Sequence, residues 1–302
     1  MYDIPILLIF FNRPDKFRVV FDEVKKVKPT ILFFYQDGPR KDNSDDLTKI
    51  NLCREIIKEI DWDCQIHTFY QKENVGCDPS GYFAHSWFFN NVEYGIVLED
   101  DCVPSKGFFD LCKFALAKYA NDERICMVSG MNLLGVSDDV TDSYFFSSHG
   151  GIWGWASWSR FYKLCDPTYS WLEDEKTIRE IRNDFSTKSE ARKFIKLAIE
   201  RKKEQKPYFE TLVYAAARSR HMLEIIPKKN TVMNIGTGNG AHTNDELNKM
   251  SKVERRYYYQ KTYSFEKPLG DVEVVRNRKY EKLILLTLFD KIKIHLNKIF
   301  KR

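Results

Sequence analysis

Three consecutive carboxylates, Glu99, Asp100 and Asp101, close the apolar run from Gly95 to Leu98, and Cys102, Val103 and Pro104 follow them. Like charges this close repel and raise one another's pKa, so a positive partner is expected. Adjacent carboxylates at a strand end offer hard oxygen ligands. These suit magnesium or manganese, ions that commonly bind one or two carboxylates together with the phosphates of a substrate. Other acidic patches, "DNSDD", "DWD" and "SDDVTD", lie in polar stretches or at helix ends and read as solvated. The aromatic residues, 15% of the chain, concentrate in "GYFAHSWFFNN", "SYFFSSHGGIWGWASW" and "RRYYYQKTYSF". Such clusters supply core. Next to glycines they also build sugar-site walls, because the apolar faces of pyranose rings stack on them.

The first half of the chain has the alternation needed to position such groups. "IPILLIFF" is a continuous apolar run, the pattern of a strand buried on both faces. Asn12 is placed to cap the helix that follows, with Pro14 in its first turn. Phe17, Val20, Phe21, Val24 and Val27 then recur at helical spacing. "TILFFY", "CQIHTFY", "YGIVLE" and "ICMVSG" read as further strands. Between them fall a helix carrying Ile50, Cys53, Ile57 and Ile60, a short helix at "GYFAHSWFFNN", and one around "GFFDLCKFALAKYA". This order predicts a mostly parallel, doubly wound α/β sheet, in which ligands bind beyond the carboxyl ends of the strands. The loops "FNRPD", "QDGPR", "ENVGCDPS" and "EDDCVP" all fall at that edge.

Residues 147 to 171 are rich in glycine and tryptophan and read as irregular, and 173 to 204 as charged, solvated helix. "YFETLVYAAARSR" reads as a buried helix and "LEIIPKKNTVMNI" as one or two strands. From about residue 276 a helix sets Leu285, Leu288, Phe289, Ile292, Leu296, Ile299 and Phe300 on one stripe among lysines. A basic amphipathic helix suits an anionic membrane surface, and equally a packed position on the protein body or in a dimer.

Charged residues are 30% and hydrophobic ones 43%, ordinary for a globular chain of 302 residues. A net charge of +5 suits an anionic ligand or membrane surface and falls short of a nucleic-acid signature. Seven scattered cysteines without a CxxC pair argue against a disulfide framework and a zinc ribbon, and for a reducing cytoplasm. The N-terminus reads as a first strand rather than a signal peptide, and no apolar run approaches the ~20 residues of a bilayer span.

The segments "PILLIFFNRPDK", "FFYQDGPR", "DW", "ENVGC", "WFFNNVEYGIVLEDDCVPSKGFFDLC", "GIWGWASWSRFY" and "VMNIGTGNGAHT" run in order over residues 4 to about 245. As an ordered set they resemble the GT-A fold nucleotide-sugar glycosyltransferases. The resemblance is to bacterial family-2-like enzymes and, more distantly, to the Golgi N-acetylglucosaminyltransferase that begins complex N-glycans.

It implies a GT-A domain over 1–245 and a basic helical extension over 246–302. Arg13, Asp37, Asn74 and Gly76 would bind the nucleotide, and Glu99 and Asp100 the donor sugar, ribose or metal-bound water. Asp101 and His242 would hold Mn2+ or Mg2+, and Trp153, Gly154, Trp155 and Trp158 would wall donor from acceptor. The family's general base stands in a Trp-Asp pair, here Phe209-Glu210, which makes Glu210 the candidate.

The implied activity is inverting transfer from a UDP-sugar to a glycan or lipid-linked glycan acceptor, at the inner face of the plasma membrane. A sugar-1-phosphate nucleotidyltransferase is the enzymatic alternative. It would need a glycine-rich basic loop after the first strand, where this chain has "FFNRPDK". A non-catalytic sugar- or membrane-binding module is the other alternative.

Overall fold

The computed structural model describes residues 1–237, 250 and 255–285. Four parallel strands build the first half of the sheet: β1 (Ile6–Phe10), β2 (Ile31–Gln36), β3 (Gln65–Tyr70) and β4 (Tyr94–Glu99). Helices α1 (Pro14–Val27), α2 (Asp45–Ile57) and α3 (Cys77–Asn91) connect them. A short strand β5 (Cys102–Pro104), helix α4 (Lys106–Lys118) and strand β6 (Ile125–Ser129) follow.

The chain then adds β7 (Tyr144–Ser147), β8 (Trp155–Trp158), and the helices α5 (Ser159–Tyr162), α6 (Glu175–Asp184), α7 (Lys188–Lys203) and α8 (Phe209–Arg218). It returns through β9 (Leu223–Pro227) and β10 (Val232–Asn234). The large sheet has the order β3-β2-β1-β4-β8-β6-β9-β7. Only β8 and β7 run against the rest, so the sheet is mostly parallel. This is the α/β, Rossmann-like architecture that the alternation of elements requires.

Alternate residues of the central strands face opposite layers. Ile6, Leu8 and Phe10 of β1 pack with Phe17, Val20 and Phe21 of α1, while Leu7 packs with Phe88 and Phe89 of α3 and Val213 of α8. Both layers are apolar, which is why these strands read as unbroken hydrophobic runs.

The structure departs from the sequence reading in three places. Asn12 does not cap α1: Arg13 occupies the cap position without a side-chain bond, and the Asn12 amide donates to Asp46 at 2.6 Å. Asp46, one of the acids expected to be solvated, is buried and bonded to Arg40 at 2.7 Å. The stretch 147–171 is not wholly irregular, because β8 inserts antiparallel between β4 and β6. Its residues alternate between the two cores, and the surrounding glycines obscured that short pattern.

For the tail the structure takes one of the alternatives left open: its helical start over 278–285 lies against the body. Tyr280, Glu281, Ile284 and Leu285 are buried. Tyr280 meets Phe145 at 4.7 Å, and its hydroxyl accepts from Leu133 N–H at 3.0 Å. Leu288, Phe289, Ile292, Leu296, Ile299 and Phe300 lie outside the described residues. No helix among the described residues is long and apolar enough to cross a membrane.

Candidate functional site

The carboxyl ends of β1, β2, β3 and β4 share one edge of the sheet, and the loops after them meet there. Glu99 ends β4, with Asp100 and Asp101 in the turn that leads into β5. β5 pairs antiparallel with β10, Cys102 opposite Asn234. That two-stranded ribbon delivers the start of the glycine-rich loop to the acids. Ile235 N–H donates to the Asp101 carbonyl at 2.9 Å. A Cβ on Gly236 would stand 2.4 Å from Asp101 Oδ2, so only glycine lets the backbone pass this close.

The positive partner required by three adjacent acids comes from within the chain. Arg13 donates from Nε to Asp100 Oδ2 at 3.1 Å and from Nη2 to Asp100 Oδ1 and to Asp101 Oδ2, the last at 2.9 Å. The backbone of Arg13 is fixed by the start of α1, where Pro14 sets the first turn and Phe17 N–H binds the Arg13 carbonyl. Lys16, one turn on, donates to the Thr237 carbonyl at 2.9 Å and lies within electrostatic reach of both aspartates. Lys16 was not singled out in the sequence. Its signal was its position one turn beyond Arg13.

Asp100 and Asp101 are only 3% and 8% exposed. Glu99 carries no guanidinium, and its pKa is pushed up by burial first and then by the Asp101 and Asp100 charges. Glu210, in the first turn of α8, raises it further and so lies within electrostatic reach of Glu99. Phe209, the residue before, is seated against His85 at 3.8 Å and Trp155 at 5.4 Å. That packing fixes the start of α8, where exposed Glu210 stands in the first turn and the helix dipole favours its carboxylate.

Asp37, at the end of β2, is spent within the chain. Its Oδ1 accepts from Gly38 N–H at 2.8 Å and Val75 N–H at 2.9 Å. Its Oδ2 accepts from the Asn74 amide at 2.9 Å and Gly76 N–H at 3.1 Å. Four donors occupy the four in-plane lone-pair sites of a carboxylate. Asp37 therefore acts by clamping the 74–76 loop to β2, with Gly76 turning into α3 at a φ of +90°.

The tryptophan wall needs correction. Trp155 is buried against Phe89 and Phe209, and Trp158 is buried with its indole N–H on the Leu116 carbonyl at 3.2 Å. Both are core, on opposite faces of β8. Gly154, at a φ of +67°, leaves room for Val232, whose Cγ2 would lie 2.8 Å from an added Cβ. Trp153 differs: it is half-buried and contacts Tyr258 at 5.2 Å, and it remains the one candidate of the four for a ligand wall. His242 lies outside the described residues.

A divalent cation fits this donor set only with help from a ligand. Both Asp100 oxygens are taken by Arg13. Asp101 Oδ1 meets the Cys102 thiol, a weak donor, at 3.6 Å, and Glu99 adds a second carboxylate. Among the described residues no group of three or more His, Cys, Asp or Glu side chains is disposed to hold a metal ion. An ion held by Asp101 with Glu99 nearby would draw most of its ligands from phosphate and water, as magnesium commonly does.

No family model matches the chain, and no curated protein matches it. Solved structures do. One is apo-UDP-glucose pyrophosphorylase, 11% identical, covering 77% of this chain and 93% of that one at a TM-score of 0.40. Another is 4-diphosphocytidyl-2C-methyl-D-erythritolsynthase from Anaerococcus prevotii DSM 20548, 13% identical, covering 65% and 85% at 0.33. A third is HddC from Yersinia pseudotuberculosis, 11% identical, covering 53% and 78% at 0.30. None of the three is named as a glycosyltransferase. At these scores and identities the likeness carries no argument about activity, which must rest on the residues of the site.

Proposed function

We propose that the chain is an enzyme acting on nucleotide sugars and, within that class, an inverting glycosyltransferase that moves a sugar from a UDP-sugar to a glycan acceptor. The observation that supports this best is the gathering of Glu99, Asp100, Asp101 and Arg13 at the carboxyl edge of the parallel strands, with Glu210 at the start of α8 within electrostatic reach of Glu99. In this reading the 74–76 loop, clamped by Asp37, shapes the nucleotide pocket, and Arg13 and Lys16 face the diphosphate. A divalent ion bound by Asp101 and the diphosphate would neutralise charge on the leaving group. Trp153 would meet a sugar ring.

Glu210 takes the proton of the acceptor hydroxyl as its oxygen bonds to the anomeric carbon. The bond from that carbon to the diphosphate oxygen breaks, and its electron pair leaves with the nucleoside diphosphate. The acceptor as a lipid-linked or surface glycan belongs to the same proposal. It has no support from the described part of the tail, which packs on the body.

A sugar-1-phosphate nucleotidyltransferase is the second reading; one of the similar structures is named a UDP-glucose pyrophosphorylase. The glycine-free turn Phe11-Asn12-Arg13 counts against it, since α1 starts at Pro14 and Arg13 is directed to the acids. The test supplies UDP-sugars, manganese and glycan acceptors to one sample, and UTP with sugar-1-phosphates to another. Release of UDP that falls by about 10²- to 10⁴-fold in Glu210→Gln, with donor binding retained, supports transfer to an acceptor. Release of pyrophosphate from the second sample, with no UDP from the first, replaces the proposal by the second reading.

A further inference from the structure

The charge balance at the end of β4 sets a competition. Asp100 and Asp101 are nearly out of water, and both are held by one guanidinium whose side chain is 21% exposed. A dication on Asp101 Oδ1 with Arg13 still on Oδ2 would press two centres of positive charge onto one carboxylate. A dication that displaced Arg13 would strip a partly buried cation of its partners, which is costly unless another anion receives it. A diphosphate is such an anion. The planar fork of arginine matches phosphate oxygens as well as it matches a carboxylate. Arg13 can make the exchange by side-chain rotation alone, because Pro14 and the Phe17 N–H bond hold its backbone at the start of α1. Lys16 stands beside it as a second cation on the same turn.

We propose that Arg13 is a positioning residue that competes with the divalent cation for Asp100 and Asp101. The free protein is neutralised by its own guanidinium and holds metal poorly. Metal and nucleoside diphosphate bind together, and Arg13 passes from the aspartates to the diphosphate as they do. This inference rests on the nucleotide-sugar reading above and adds an order of binding to it. It also accounts for acids that are buried and adjacent without any third metal ligand among the described side chains.

The test measures Mn2+ binding by the full chain, by electron paramagnetic resonance of free Mn2+, with and without UDP. UDP binding is measured separately in EDTA. For the wild type we expect Mn2+ affinity at least tenfold higher with UDP than without. For Arg13→Gln we expect Mn2+ binding without UDP to tighten tenfold or more, and UDP binding in EDTA to weaken.

If wild-type Mn2+ affinity is the same with and without UDP, or if Arg13→Gln leaves the UDP-free affinity unchanged, the competition is overturned while the nucleotide-sugar reading stands. If neither Mn2+ nor UDP binds in any combination, that reading falls and this inference with it. Arg13→Gln leaves two buried carboxylates without their cation. Should it not fold, the pair Arg13→Gln/Asp100→Asn against Asp100→Asn makes the same comparison.

Discussion

Glu281 is fully buried on the first turns of the tail helix and gathers donors from three parts of the chain. Its Oε1 accepts from Ser147 Oγ at 3.1 Å, Ser148 N–H at 2.9 Å and Ser148 Oγ at 3.0 Å. Its Oε2 accepts from Ser186 Oγ at 3.3 Å, and Arg276 Nε donates to both oxygens at 2.8 and 2.9 Å. Arg276 also donates to Asp184 Oδ1 at 3.0 Å, and Arg218 to Asp184 Oδ2 at 2.8 Å, so the tail is tied to α6 and α8 through buried charge.

Glu281→Gln preserves the shape and removes the charge. Its amide N–H would face the Arg276 N–H, donor against donor. Breaking one side of a buried ion pair costs about 3–5 kcal/mol. Asp184 still holds Arg276, which places the expected loss near ~3 kcal/mol, the scale of one or two charge-assisted hydrogen bonds. At roughly 2–4 °C per kcal/mol for a chain of this size, the melting temperature should fall by about 6–12 °C.

Urea unfolding followed by far-UV circular dichroism reads the free energy, and a double-mutant cycle with Arg276→Met reads the coupling. The pKa of Glu281 is lowered well below the carboxylate range: burial opposes ionisation, and nearby His149, 3.8 Å away, together with the bonds from Arg276 and Ser148, outweighs it. Its stabilisation is therefore present above the unfolded value near ~4.3 and is lost as pH falls through the folded one. The gap between wild type and Glu281→Gln should narrow in acid. A loss under about 1 kcal/mol at neutral pH, with no coupling to Arg276, would refute the reasoning. A chain cut before residue 276 loses this whole anchor, so a truncation that probes the tail on anionic vesicles must start beyond Leu285.

The two outer tryptophans of the "WGW" segment should separate cleanly. Trp155→Ala should cost about 3–5 kcal/mol by emptying the core between Phe89 and Phe209, whereas Trp153→Ala should leave stability within about 1 kcal/mol and change sugar transfer. Equal stability losses would contradict the assignment of Trp155 to the core. Asp37→Ala unties the 74–76 loop and should weaken UDP binding tenfold or more while faster hydrogen exchange appears at Val75 and Gly76; unchanged exchange there would show that the clamp is idle. Asp46 has its pKa drawn down to about 2, chiefly by its bond from Arg40, with Asn12 assisting. Asp46→Asn should cost about 1–2 kcal/mol at neutral pH, after allowing for the solvent around half-exposed Arg40. That cost should fade as pH drops from about 4 towards 2, and a cost independent of pH would rule out the charge as its source.

The half of the site on β1 to β4 was legible in the chain because local signals write it. Continuous apolar runs mark strands covered on both faces, helical spacing from Phe17 to Val27 marks the connection, and loops after parallel strands must share an edge. Glu99, Asp100 and Asp101 could be placed from the end of one such run. What lay beyond was decided by pairings distant in sequence. No local pattern says that β8 enters between β4 and β6, and so none says that Trp155 and Trp158 face opposite cores. Nor could spacing show that Asp37 spends its carboxylate on residues 74 to 76, or that Glu281 is buried beneath Ser147 and Ser148. The cation demanded by the three acids was foreseeable as a charge. That Arg13 supplies it follows only from the parallel register of β1 on β4, which sets the turn after one strand against the turn after the other.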